Sequence, residues 1–435
     1  MNPAERLTSE RVDVLVLGAG PAGATAALQA ARAGAKTLLV EKTAQPGGTT
    51  TSAGVNLPGL FHAWGRQIIA GIGWELVERA VREVGGKLPD FQKWDQPHWL
   101  LQVKVNTAVY AALIDEALVQ AGVEVLYHAM PVALDQEANG DWRVQLAVKE
   151  GLRTATARMV IDATGDANGI ALAGHPVRRP TASPQPATLM FRLNGYDPEG
   201  LDYDALNRAW AEALATGRVH ASDAGAHDPR ALEWFLRSRG ENKMHVPDAE
   251  GHTSAGRTAL EQRARAALLR LLRFLRQQPG LEHTEIDRCA PECGVRDTGV
   301  IEGEVEITVG DYTSGRLWED AVCYSFYPID LHRADGDGVD IRPLAHGTFP
   351  TIPLRAMIPK GAKNLIVAGR TACGDPLANS AYRVQASCMA MGQAVGAVTA
   401  IAAQRHIPIG DVPLKDLRQL LTRHQAIVPP DGMHR

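Results

Sequence analysis

No Cys/His cluster in the sequence has zinc spacing, and there is neither a G-x-S-x-G elbow nor a Walker A loop. Structural zinc, acyl transfer from an elbow serine and P-loop phosphate chemistry are excluded accordingly. Cysteine is scarce. The five present, Cys289, Cys293, Cys323, Cys373 and Cys388, are odd in number, so reduced thiols in a reducing, cytoplasmic compartment are expected. Cys289 and Cys293 are spaced CxxxC, whereas dithiol relays favour CxxC. The start, MNPAERLTSERVD, is polar and has no apolar run before Val14, so no signal peptide is read. Net charge is small, at −4 with a pI near 6.4; no global basic field draws in nucleic acid or an anionic membrane. Low-complexity tracts and internal repeats are also missing.

What remains is the composition of a globular, enzyme-sized protein, 45% hydrophobic and 22% charged over 435 residues. At ~100–200 residues per domain, that length implies two or three cores. The stretch VLVLGAGPAGATAALQAARAGAKTLLVEK (14–42) supplies the first. Val12 to Leu17 is apolar but for Asp13, close to the run that a strand buried on both faces requires. Residues 22–33 are alanine-rich and favour helix, Gly34 suits its C-terminus, and Lys36 to Val40 is a second strand.

Gly18, Gly20 and Gly23 between that strand and helix form GxGxxG. The first permits a tight turn, the second lets backbone approach a pyrophosphate, and the third lets helix lie on strand. The helix N-terminus then offers free N–H groups to phosphate. Glu41, 23 residues after Gly18, ends the second strand, where an acid hydrogen-bonds ribose hydroxyls and repels a 2′-phosphate. Two further segments favour FAD over NAD. DATGDA (162–167) ends a later strand, with Thr164 and Gly165 for close passage and Asp166 as an acceptor. NLIVAGRTACGD (364–375) repeats the strand-then-glycine theme near the end of the chain. A long cofactor needs that extra wall.

Elsewhere, helices are expected around Gly73–Glu83 and over 107–120, and strands at 122–128, over WRVQLAVKE and TATARMVIDATG, and over PATLMFRLNG (186–195). Residues 180 to about 345 are read as longer polar loops with fewer apolar runs. An amphipathic helix is predicted over 260–276, with Leu260, Ala264, Ala267, Leu268, Leu271, Leu272 and Leu275 on one side. Its five arginines invite a nucleic-acid reading, but a solvated face with a Glu261–Arg265 pair is preferred. Val384 to Ala403 is a 20-residue run without formal charge, with Gly392 and Gly396 in GxxxG. It is long enough to span a bilayer. Its alanine, glycine and glutamine content favours a helix packed inside a soluble fold.

The ordered set GAGPAG with EK, GGTTTSAGVN, AGIGWELVERA, IDATGDA, ATLMFRL, VRDTGVIEGE, YPIDLH, and NLIVAGR followed thirteen residues later by RVQASCMAMGQAVGA resembles a bacterial group of FAD-dependent oxidoreductases with a glutathione-reductase-type FAD domain. The resemblance covers roughly residues 12–403. It implies an α/β fold in which a discontinuous Rossmann-like FAD-binding domain (10–175 with 345–410) carries an inserted α+β substrate domain (176–344, with contributions from 50–100). A C-terminal tail (411–435) follows. It also implies noncovalent FAD. Gly18, Gly20 and Gly23, with Pro21 and Ala22 in the same turn, would hold the pyrophosphate. Glu41 with Lys42 would face the adenosine ribose, and backbone near Val132 the adenine. Ala163, Thr164, Gly165 and Asp166 would line the adenosine side. Gly48, Thr49 and Thr50 would pass beside the isoalloxazine. Gly369, Arg370 and Asp375, with Gln393 and Ala394, would approach the ribitol and flavin. The group often has a histidine after AGR; here Pro376 stands in that loop, so no histidine is carried over.

Such an enzyme needs an anchor and a proton acceptor besides the flavin. Arg383 matches the family arginine and can clamp a carboxylate, steady reduced flavin or merely brace its loop. His332 is the acid/base candidate, because imidazole titrates near neutrality; a structural pair with Asp330 is the competing reading. Arg296, Tyr327, His62 and Asn56 are weaker candidates. No metal is expected. A second GxGxxG and the Trp-x-Trp-x-x-x-Pro halogenase signature are lacking, against a built-in NAD(P)H domain and against halogenation. The reading is an FAD-dependent oxidoreductase exchanging a hydride or electrons between a small organic substrate and an unidentified donor or acceptor. The alternatives are a tRNA-modifying flavoprotein and a flavin-binding protein without turnover.

Overall fold

A computed structural model describes residues 11–180 and 184–430. The first ten residues, within the polar start read as lacking a signal peptide, lie outside the described residues, as do the last five of the expected tail. The main sheet has seven strands: β1 (Arg11–Leu17), β2 (Thr37–Glu41), β3 (Glu124–Tyr127), β4 (Met130–Gln136), β5 (Trp142–Val148), β6 (Gly151–Asp162) and β7 (Leu365–Val367). Their order is β3-β2-β1-β6-β5-β4, and β7 pairs with the end of β6. From β3 through β6 to β7 the pairings are parallel, while β4 and β5 are antiparallel additions.

The burial of β6 explains its double role. Its first half is mostly exposed or half-buried where β5 pairs with it, and its last four residues, Met159 to Asp162, are buried. There β1 and β7 flank it, and Leu17, Asp162 and Val367 fall in register. The Lys36–Val40 and Ala163 boundaries expected from sequence shift by one residue. β4 escapes the sequence because Pro131 and a register shift between Pro131 and Ala133 break its alternation.

The helix Gln385–Arg405 is the one described helix long and apolar enough to cross a membrane, yet its apolar window is 94% buried within the fold. It packs on the helix Pro21–Arg32. A methyl group on Gly392 would overlap the Ala22 carbonyl, and one on Gly396 the Ala26 carbonyl, so the GxxxG serves close packing of two helices here.

Buried side chains form two clusters. The larger joins the sheet, its helices and side chains from Ile301 to Ile358. The smaller lies between Ala187 and Val295 and centres on Trp210, Leu232, Phe235 and Leu268. The loops expected there contain helices at Tyr203–Ala215, Ala221–Ala224 and Ala231–Arg237. The first buries Leu206, Trp210 and Ala213, a stripe too sparse to stand out in the sequence. PATLMFRLNG divides into two short strands, Ala187–Thr188 and Phe191–Asn194, that pair with different partners. The arginine-rich helix starts earlier than expected, as Ser254–Leu275 capped by Thr253. Glu261 and Arg265 do pair, at 3.7 Å. Arg270 grips the buried Asp223, and Arg263 and Arg276 bond backbone carbonyls. The expected tail contains a helix, Leu414–Arg423, docked through Leu417 and Leu421.

The helix contact gives a stability prediction. Gly392→Ala should destabilise by about 1–3 kcal/mol, the usual cost of overpacking, and lower the thermal midpoint. An unchanged midpoint would contradict the close packing.

Candidate functional site

One cavity of about 600 Å³ runs beside the ends of β1, β6 and β7. Gly18, with φ +96, sits where a side chain would lie 2.6 Å from the Ala163 carbonyl, so the two loops touch backbone to backbone. Gly20 has open space where a Cβ would stand, and Gly48 closes against it from the other side. The helix Pro21–Arg32 begins at Gly20 with no side-chain cap, which leaves its N–H groups for a ligand. Glu41 is buried against the same wall and accepts from the Ala19 amide at 2.7 Å and the Thr43 amide at 2.8 Å. The Thr43 hydroxyl adds a third bond at 2.9 Å; a carboxylate has about four acceptor positions, so one remains for a ribose hydroxyl. A glycine cradle, an uncapped helix and a free-valenced acid together fit a dinucleotide.

Gly18, Gly20, Pro21, Ala22, Glu41, Lys42, Gly48 and Thr49 all line this cavity, and so do Ala163, Thr164, Gly165, Asp166, Gly369 and Arg370. Two of these also act as braces. Asp166 is bound by Arg370 at 2.8 Å and by the Thr298 hydroxyl at 2.8 Å. Burial would raise its pKa, but Arg370 and Arg257 outweigh burial and hold it below the usual carboxylate range. Arg370 also donates to the Gly165 and Val295 carbonyls. Asp162, unremarked in the sequence, accepts from Thr164 and Ile170 and shapes the loop; burial raises its pKa against those hydrogen bonds.

Six expected contacts stand off the cavity wall. Gly23 has no room for a Cβ against the Gly18 carbonyl, so it serves helix packing. Thr50 bonds Gln385 instead. Val132 is exposed on β4, at the sheet's bulge. Asp375 caps the helix Pro376–Tyr382 and accepts from Ala378 and Val309. Gln393 bonds Ile72, Gln29 and the His424 carbonyl, and Ala394 is fully buried beside it.

A second part of the wall concentrates ionisable groups. Arg296 and Arg383 line it with Asp330, His332, His245 and Tyr327. Arg296 donates to the Pro186 carbonyl and to Thr188 Oγ1, and no described carboxylate lies within ion-pair distance. Burial first, and Arg383 second, lower its pKa to about 9. Arg383 donates to Gln185 Oε1 and the Asp330 carbonyl, lies 3.9 Å from the Asp330 carboxylate, and leaves Nε without a partner. Asp330 is held at about 2; burial opposes this and is overcome by His332, Arg383 and Arg296. His332 Nε2 lies 3.6 Å from Asp330. Burial, reinforced by Arg296 and opposed by Asp330, lowers the imidazole to about 4. Behind it stands His245, its ring 4.9 Å away and edge-on, lowered to about 3 by burial and then Arg296. At neutral pH this wall therefore holds two guanidinium charges, one carboxylate and two neutral imidazoles.

Of the weaker candidates, Arg296 and Tyr327 join this group, whereas His62 faces a neighbouring cavity. Asn56 is buried and lines neither. Gln185 and His245 were not singled out in the sequence. Neither carries a motif, and only the fold brings them to His332. All five cysteines are free thiols, and Cys289 and Cys293 are raised by burial.

The sequence model described as "FAD dependent oxidoreductase" matches residues 13–421. Thiamine thiazole synthase of Methanococcus maripaludis is 30% identical over 168 residues, 37% of this chain and 58% of that protein. The chain thus spans 58% of the length of that curated relative. Among solved structures, a myxobacterial chondrochloren halogenase is similar at TM-score 0.45 and 14% identity, over 96% of this chain and 79% of the other. A geranylgeranyl bacteriochlorophyll reductase-like protein of Thermoplasma acidophilum gives TM-score 0.43 and 15% identity, over 96% and 82%.

The buried neutral histidines predict acid sensitivity. His332 and His245 are depressed in the folded chain, so from pH 6.5 down to about 4 the unfolded chain takes up protons that the folded chain refuses. Stability present above pH 6.5 should fall through that window by on the order of 1–3 kcal/mol per histidine. Urea midpoints at pH 7.5 and 4.5 measure this. His245→Gln should shrink the difference, and equal midpoints in the wild type would refute the assignment.

Proposed function

The chain belongs to the FAD-dependent oxidoreductase family, and from that premise we propose that it oxidises a small organic anion, with Arg296 and Arg383 as the anchor and His332 as the base. Bound FAD supplies acceptance of a hydride equivalent. The chain's own residues supply the rest. Gly18, Gly20 and the uncapped helix start would hold the pyrophosphate, and Glu41 the adenosine ribose. The observation that carries the substrate reading is Arg296, a half-buried cation on the cavity wall whose own hydrogen bonds go only to a carbonyl and a hydroxyl. Burying a charge without an opposite partner is costly, and an anionic substrate removes that cost. Asp330 neutralises at most one of the two guanidinium groups.

His332 is uncharged at neutral pH, the state a base requires. The proposed acceptor is Nδ1, which has no hydrogen-bond partner of its own, because Nε2, 3.6 Å from the ionised Asp330 carboxylate, holds the proton of the neutral ring and steadies the imidazolium once it forms. His245 and the surrounding wall keep water from competing for that proton. This arrangement suits oxidation of an alcohol or amine that carries a carboxylate, the O–H or N–H proton passing to His332 as the adjacent C–H is lost. The smaller core, Ala187 to Val295, is on this reading the substrate unit, since it delivers Arg296 and His245 to the cavity. A tRNA substrate finds no support, because most of the arginines on the helix Ser254–Leu275 are engaged within the chain.

The test is anaerobic bleaching of the flavin by 2-hydroxy and 2-amino acids alongside the matching neutral alcohols and amines. The acids should reduce it and the neutral compounds should not; equal rates would overturn the anion reading. Arg296→Met should raise KM about 10–100-fold. His332→Ala should slow reduction about 10²–10⁴-fold without emptying the site. In the wild type the base should remain active well below pH 6.5 and fail only near pH 4. Separately, Glu41→Arg should lower FAD occupancy, read as the ratio of flavin to protein absorbance. An undiminished ratio would remove Glu41 from the ribose.

A further inference from the structure

A second cavity, of about 660 Å³, adjoins the first. Its walls gather aromatic residues from a chain that has few. Three of the eight tryptophans, Trp64, Trp94 and Trp99, line it, with Phe91 and Phe326. Trp64 stands at the centre, edge-on to Trp94 at 5.9 Å and to Phe326 at 5.2 Å, and its indole N–H is satisfied by the Thr348 carbonyl at 2.9 Å. His62 lies flat on Phe91 at 3.7 Å. The interior therefore offers ring faces and edges, which favour offset or edge-to-face contact with another ring, and Leu60 and Leu344 add aliphatic wall.

The two cavities share wall. His98, Trp99 and Ile341 line both. His98 is edge-on to Tyr327 at 5.3 Å, and Tyr327 lines the cavity of Arg296 and Arg383. A molecule whose charged end reaches the arginines thus has an apolar compartment next to it, with His98, Trp99 and Ile341 bordering both. We infer that the second cavity receives an aryl group of the same substrate whose anionic end is held by Arg296 and Arg383. This rests on the anion reading above and extends it: the substrate class is an aryl-bearing carboxylate. The outer wall is the segment 91–101, whose only regular element is the short turn His98–Leu100, so the aryl group is covered by loop rather than by core.

The test is calorimetric titration of the FAD-loaded protein with acetate, benzoate, 4-biphenylcarboxylate and the uncharged 4-biphenylmethanol. The biphenyl acid should bind at least 10-fold more tightly than acetate. Trp94 is 39% exposed, so Trp94→Ala spares the core; it should weaken the biphenyl acid at least 5-fold and leave acetate unchanged. Leu344→Trp, which fills the cavity from the opposite wall, should do the same. Affinity independent of aryl size, or a size preference that survives both variants, would overturn the inference. If 4-biphenylmethanol binds as tightly as its acid, and Trp94→Ala weakens both, the aryl compartment is supported while the anion reading falls.

Discussion

The site depends on three strand ends held side by side. Leu17, Asp162 and Val367 are register partners across β1, β6 and β7. The loops that leave them, at residues 18–23, 163–167 and 368–370, must therefore emerge together at one edge of the sheet. Parallel pairing enforces this, because each strand points its C-terminal end the same way. Contact between the first two loops is so close that Gly18 tolerates no side chain against Ala163. Arg370, in the third, then crosses to the carbonyl of Gly165 and the carboxylate of Asp166. The cavity floor is backbone fixed by hydrogen-bonded strands, which makes it rigid before any ligand arrives.

The same arginine ties the floor to the rest of the molecule. Its third hydrogen bond goes to the Val295 carbonyl, one residue before Arg296. Thr298 bonds Gly165 and Asp166 from the same segment. The piece of chain that carries this guanidinium is thus anchored to the nucleotide loops as well as to the smaller core, where Gly294 pairs with Thr188 and Val295 is buried. Electrostatics follow from that placement. Arg296 depresses His332 and His245, and it also depresses Asp330. This cation adds to the burial that keeps the imidazoles neutral, and with His332 and Arg383 it holds the carboxylate ionised against burial, which pushes a carboxylate up.

How much of this was legible in the sequence varies with the range of the forces involved. The βαβ unit was, because the apolar run Val14–Leu17, an alanine helix and three glycines are local signals. The small-residue helix was too: its lack of large side chains reports close packing, and Gly392 and Gly396 are where that packing occurs. Positions assigned from a motif stand off the cavity wall where the motif's residues serve the loop itself. Asp375 caps its own helix, and Gln393 satisfies Gln29 and Ile72 in the helix layer. Nothing in their neighbours along the chain separates such roles from ligand contact. Gln185 and His245 were missed for the opposite reason. They stand 147 and 87 residues from His332 in the chain, and no local pattern encodes a meeting of that kind.

The division of labour between the two cores follows from these distances. The larger core presents the glycines and Glu41 through regular strands and one helix, so that half of the site tolerates little change in backbone. Arg296, His245 and Gln185 come from short strands and connecting segments, where pairing extends over two residues at Ala187–Thr188 and His245–Val246. Side chains on such segments can be exchanged without disturbing the sheet. The aromatic compartment carries this further, since its outer wall at 91–101 is almost entirely loop. Rigidity therefore decreases from the nucleotide cradle, through the charged wall, to the aromatic cavity. A fold arranged in that way can keep one cofactor while the residues that choose the substrate change.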